Sequence, residues 1–259
     1  TVGAGVFYRR MKCGTEGSWA TSQVLGADGE EMTAVLAQAP GPLQLVPTPQ
    51  YGRGWLRIET EGQPDVALPT GDDPYTDIYL ERDKWWGMME PEMAMPELEG
   101  SSEHRQRQLD EAWASYSRVM NLSVKPFHQT LTNQFNANTY LFYSNSNDYV
   151  SYGAVCWRGE DLSNHHLRHR AVMIHNQMGT QRSIQQTDTQ SDRRIYLRYT
   201  VSEPDEPGDG TVPARSGSIG SRQAKESLRV ATGHEPAYND TYARWFTLGS
   251  ILEIASTWS

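Results

Sequence analysis

Leu109, Trp113, Tyr116 and Met120 recur at spacings of four, three and four. That period sets them on one helical face and predicts a helix from about Ser102 to Asn121. Asp28 with Glu31 forms a capping box ahead of the stretch MTAVLAQA, and the PGP that follows stops that helix. Asp73-Pro74 carries the N-cap and first-turn signature of a further helix, through YTDIYLERDKWW. A short strand is expected at GWLRIE. From Asn138 the period shortens: TYLFYS, YVSYGAVCWRG, SIQQTDT and RIYLRYTV are rich in β-branched and aromatic residues and bounded by polar turns. The stretch LRVATGH reads as one more strand. The chain closes on a helix in which Tyr242, Trp245, Phe246, Leu248, Ile251, Leu252 and Ile254 leave hardly a polar side, so burial is expected there. Helices dominate the first part and strands the second.

Composition narrows the function classes. The 259 residues are 37% hydrophobic and 21% charged, a globular balance with ample length for a core. The net charge of −9 speaks against nucleic acid, whose phosphates call for a basic face. It also gives an anionic membrane no attraction through charge alone. No apolar run approaches the roughly 18 residues of a membrane span, so no transmembrane segment is expected. The opening TVGAGVFYRRMK lacks the apolar stretch of a secretory signal. Cys13 and Cys156 form at most one bridge, too few for a disulfide framework. Synthesis and folding in a reducing cytoplasm, with any export proceeding without a cleaved signal, is the expectation.

The candidate chemistry sits in EPGDGTVPARSG, residues 206–217, where one acid, Asp209, stands between two glycines. Glycine lets the backbone turn tightly enough for the carboxylate to reach a neighbouring loop, and Pro213 stiffens the exit. His234 follows 25 residues later at the end of LRVATGH. A carboxylate on one strand-end loop and an imidazole on the next form the second half of a Ser…Asp…His order. In such a triad the acid orients the imidazole and stabilises the imidazolium formed in catalysis. Gly-Asp-Gly is also common in surface turns, and a histidine after a strand is often structural.

GDGTVP followed by a histidine after a strand resembles the carboxy-terminal end of lecithin–cholesterol acyltransferase-type lipases, which are α/β-hydrolases. The stretches GAGVFYRRMKCGTEG, TAVLAQAPGPLQLVPTPQYGRGWL, YLFYS, EPGDGTVP and GHEPAYND are more similar still to bacterial PGAP-like hydrolases, some of them type VI secretion lipase effectors. The resemblance implies the carboxy-terminal part of an α/β-hydrolase sheet with a helix-rich cap insertion. Residues 1–12 would end an upstream core segment, 13–137 would form the cap, and 138–259 would carry the acid and histidine loops. It implies serine-dependent hydrolysis of a lipid or other acyl ester, with Asp209 and His234 as catalytic residues and no metal or organic cofactor. The sequence departs from the family in having no G-x-S-x-G nucleophile elbow. The nearest match, SGSIG around Ser218, has Ser216 in place of the first glycine and falls between the acid and the histidine. The strand that supplies an oxyanion-hole amide is missing too, and the chain is expected to begin after the family's sixth core strand. The serine is therefore expected on an upstream segment, packed against this one as a partner. The alternative is a non-catalytic hydrolase-like module that holds a secretion or immunity protein.

Three other stretches invite readings. NHHLRHR offers His165, His166 and His169, but no H-E-x-x-H spacing accompanies them, and a solvated polar loop is expected. KWWGMMEPEMAMPELEG gathers Trp85, Trp86, Met88, Met89, Met93 and Met95, which suit either an apolar lid over an acyl-chain site or buried packing. Tyr51 and Trp55, in PLQLVPTPQYGRGWL, suit a pocket wall or ordinary packing.

Overall fold

The computed structural model describes residues 2–14, 28–95, 97–162, 180–187 and 194–256. His165, His166 and His169 lie outside the described residues. The fold is mixed α/β. Helix α1, Gly5–Cys13, is buried on nearly every side, with Val6, Tyr8, Met11 and Cys13 in the core. Helix α2, Gly29–Leu36, packs against it. The Asp28 carboxylate caps this helix by accepting from the Glu30 and Glu31 amides, at 3.0 Å each. The periodic helix is α3, Ser102–Val119, which continues through a wider turn at Met120–Val124 into α4, Lys125–Leu131. Tyr116 and Met120 are buried, on the face their spacing assigns to them.

Strands β1 (Leu56–Thr60), β2 (Val66–Leu68), β5 (Val155–Asp161), β6 (Gln181–Thr187) and β7 (Arg194–Val201) form one five-stranded sheet in the order β2-β1-β5-β7-β6. Only the β1–β5 pair is parallel. β1 and β2 belong to residues 13–137 and the other three strands to residues beyond them, so one sheet draws on both segments. β3 (Tyr140–Ser144) pairs in parallel with β9 (Glu226–Val230), and β4 (Ser146–Ser151) pairs antiparallel with β8 (Glu206–Gly208).

Three expectations are corrected. The helix expected through YTDIYLERDKWW is only a five-residue wide turn, Tyr75–Tyr79. Beyond it the carbonyls serve side chains of α1: Trp85 and Gly87 accept from the Lys12 ammonium at 2.7 and 2.8 Å, and Trp86 accepts from the Tyr8 hydroxyl at 2.7 Å. The lid reading of the Trp/Met stretch gives way to core packing. Met88, Met89 and Met93 are buried, and the Trp85 ring lies 4.4 Å from Tyr199 and 5.4 Å from Trp157 on the five-stranded sheet. Tyr51 and Trp55 are core residues as well; the Tyr51 hydroxyl donates to the carbonyls of Tyr152 and Gly153.

Three further helices are only four residues long, Pro40–Leu43, Pro91–Ala94 and Ala214–Gly217, and the third correction concerns the closing helix, α5. It spans Thr241–Ser256 and is not buried all round. Ala243 and Ser250 face inward, and the Phe246 ring meets Tyr140 of β3 at 6.3 Å. Tyr242, Trp245, Leu248, Ile251 and Leu252 are exposed. A two-stranded sheet is too narrow to cover more than one stripe of a helix, and nothing among the described residues covers the rest.

Candidate active site

The acid loop leaves β8 and folds around its own carboxylate. Asp209 Oδ1 accepts from the amides of Thr211, at 2.9 Å, and Val212, at 2.6 Å. Gly210 makes that turn possible with φ +91°, a left-handed conformation that side chains disfavour. Its amide donates to the Tyr149 carbonyl and to Ser151 Oγ, each at 3.0 Å, which ties the loop to β4. The glycine and proline content legible in the sequence is thus the means of aiming one carboxylate.

The histidine turn leaves β9, whose parallel partner β3 ends beside it. The Thr232 amide donates to Ser144 Oγ at 3.1 Å, fixing the path from strand to turn. The His234 amide then donates to the Asp209 carbonyl at 2.7 Å, and His234 Nδ1 lies 2.8 Å from Asp209 Oδ2. The two residues picked from the sequence are therefore joined through both main chain and side chain.

The electrostatics follow from this contact. Burial pushes the Asp209 carboxyl upward, but the His234 contact and the Val212 and Thr211 amides outweigh it and hold the group below its ordinary value. The hydrogen bond that His234 donates to Asp209 raises His234 above the ordinary 6.5; partial burial and the Arg10 charge oppose the rise, while the Asp209 and Glu235 charges favour it. An ionised carboxylate only accepts, so neutral His234 must carry its proton on Nδ1. That leaves the Nε2 lone pair free to take a proton, and the side chain is 52% exposed. This arrangement can serve chemically as an oriented general base.

The SGSIG stretch is structural. Ser216 is buried; its hydroxyl donates to the Gly3 carbonyl at 2.6 Å and accepts from the Val2 amide at 3.1 Å, pinning the start of the chain to the acid loop's exit. Ser218 directs its hydroxyl to the Arg215 carbonyl, at 3.5 Å. A surface hollow at the start of α3 is lined by Met95, Leu98, His104 and Gln108, none of which belongs to the pair. Among the described residues no three His, Cys, Asp or Glu side chains converge to hold a metal ion, and no helix is long and apolar enough to cross a membrane. Cys13 and Cys156 are buried and do not form a disulfide with each other. Sequence reasoning missed Tyr149, Ser151 and Ser144, which brace the two loops; polar and aromatic residues in a strand carry no mark of that duty.

No family model and no curated protein matches the chain. Its fold is that of a chain in the crystal structure of the Tle4-Tli4 complex. The TM-score is 0.68 at 24% identity, over 98% of this chain and 53% of that one. This chain therefore spans about half the length of its neighbour in the Tle4-Tli4 complex, and the likeness is one of fold.

Proposed function

We propose that this chain supplies the acid and the base of a serine esterase acting on a lipid or other acyl ester, as in the lipase effectors its motifs resemble. The observation that carries the reading is the 2.8 Å contact between His234 Nδ1 and Asp209 Oδ2, on an acid already fixed by two backbone amides. His234 Nε2 takes the proton of a serine hydroxyl as its oxygen attacks the ester carbonyl. The imidazolium, stabilised by Asp209, then protonates the departing alcohol, and water repeats the cycle on the acyl-enzyme. On this reading residues 138–259 supply the acid–base loops and the helices within residues 13–137 cap them.

The serine comes from a segment outside these 259 residues. The absence of a G-x-S-x-G in the sequence supports this, as do the structural duties of Ser216 and the remoteness of Ser218 from the Ser…Asp…His order. So does strand β3, which reads as an interior parallel strand, apolar on both faces. Only β9 pairs with it among the described residues, and four of its five residues remain partly exposed. That bare edge and the exposed side of the closing helix suit a neighbouring strand and its helix. The neighbour's presence in a two-protein complex supports a protein partner, such as an immunity protein, for the assembled molecule.

The pH profile tests the base. For the intact native protein, kcat/KM on a short-chain ester is expected to rise with pH and level off above an apparent pKa higher than 6.5, because Asp209 raises the pKa of His234. Asp209→Asn is expected to move that midpoint down. A profile flat across the histidine range would remove His234 from the base role.

A further inference from the structure

Strand β4 contains an irregularity next to the candidate site. Ser146 opposes Gly208 while Val150 opposes Pro207, so the register slips between them and the residues in between bulge outward. Bulges of this kind bend a strand and re-aim its side chains. Tyr149 lies in the bulge. Its carbonyl accepts from the Gly210 amide at 3.0 Å, within the acid loop. Its ring reaches over the histidine turn: a methyl group placed on Gly233 would meet Tyr149 Cε1 at 3.0 Å and the Pro236 ring at 3.2 and 3.3 Å. Gly233 thus leaves room for the ring, and Gly233 and Pro236 flank His234. One residue grips both loops.

We propose that Tyr149 is a positioning residue, a clamp from β4 that holds the Asp209 loop against the His234 turn and fixes the imidazole's orientation. Its importance for turnover rests on the acid–base reading above, but the clamp itself is a matter of geometry. The main-chain carbonyl holds the acid loop and the ring holds the histidine turn, so trimming the side chain releases only the second grip. Among the described residues, the charges of Asp209, Arg10 from α1 and Glu235 from its own turn act on His234. Trimming Tyr149 leaves all three in place, and relieving burial would only raise the midpoint, so a fall at His234 reports on geometry.

The test is proton NMR of the histidine imidazoles in the intact native protein, comparing Tyr149→Ala with Tyr149→Phe. In Tyr149→Ala the His234 Nδ1–H resonance is expected to vanish through exchange with water, and the titration midpoint of His234 to fall toward the ordinary histidine value. Tyr149→Phe is expected to retain both. Buried His128, held by Tyr75 at 2.6 Å and the Gln44 carbonyl at 2.9 Å, serves as the control for folding and is expected to be unchanged in both variants. If Tyr149→Ala also loses the His128 signal, Gly233→Ala replaces it, since the added methyl should push the ring aside and produce the same loss at His234. A His234 signal and midpoint unchanged in the folded Tyr149→Ala protein, or in Gly233→Ala when that replaces it, overturns the clamp. Because the readout needs no turnover, it separates failure of the clamp from failure of the esterase reading.

Discussion

Replacing His234 with alanine in the intact native protein is expected to lower kcat on an ester substrate by roughly 10⁶-fold, the scale for losing the histidine of a triad. On the proposed mechanism that variant lacks the group that takes the serine proton. Asp209→Asn is expected to lower kcat by roughly 10³ to 10⁴-fold, because a neutral amide neither fixes the Nδ1–H tautomer nor stabilises the imidazolium. Folding should survive the histidine change. His234 is half exposed, so its removal opens no core cavity and unfolding should shift by no more than about 1 kcal/mol. Ser218→Ala, trimming a hydroxyl that donates to the Arg215 carbonyl, is expected to leave turnover unchanged. Steady-state kinetics with thermal melts on the three variants check this; a His234→Ala protein that turns over normally would end the acid–base reading.

The largest stability effect is expected far from the site. Lys12 is completely buried, and its ammonium is matched by the Glu90 carboxylate, which also receives Arg182. Burial lowers Lys12 from 10.5 to about 8, with Glu90 opposing the fall. Glu90→Ala leaves two cations facing each other without their anion, a change that costs about 3–5 kcal/mol when a buried pair is broken from one side. In a chain of this size that is a fall in Tm on the order of 10 °C, measurable by calorimetry. The pH dependence has a definite sign. Between about 8 and 10.5 the unfolded chain holds a proton on Lys12 that the folded chain has released, so this residue's contribution to stability rises with pH across that window. Lys12→Met is expected to remove that rise. A Glu90→Ala protein as stable as the parent would show that the backbone carbonyls of Trp85 and Gly87 suffice to hold the ammonium.

Much of the architecture was legible because local chemistry and tertiary context agree. Asp28 caps its helix, the four-three-four spacing of Leu109 to Met120 marks a true helical face, and the β-branched runs after Asn138 are strands. Reading failed where a distant side chain decided the outcome. The capped segment after Asp73 stops being helical because α1 takes its carbonyls through Lys12 and Tyr8. Strands β1 and β2 join a sheet whose other members lie about a hundred residues along the chain, a pairing that no local period encodes. The closing helix looked buried because both its sides are apolar; only one of them finds a partner among the described residues. At the candidate site the acid and histidine were readable from turn chemistry and chain order. Tyr149 was not, since a strand bulge leaves no signature in sequence.

The most direct measurement is covalent labelling of the intact native protein with a fluorophosphonate, followed by peptide mapping. The expected result is a single serine adduct on a residue outside these 259, formed in the parent protein and lost in His234→Ala. An adduct on Ser218 or on any other serine of this chain, or labelling undiminished by the loss of His234, would contradict the assignment of this chain as the acid–base half of a serine esterase.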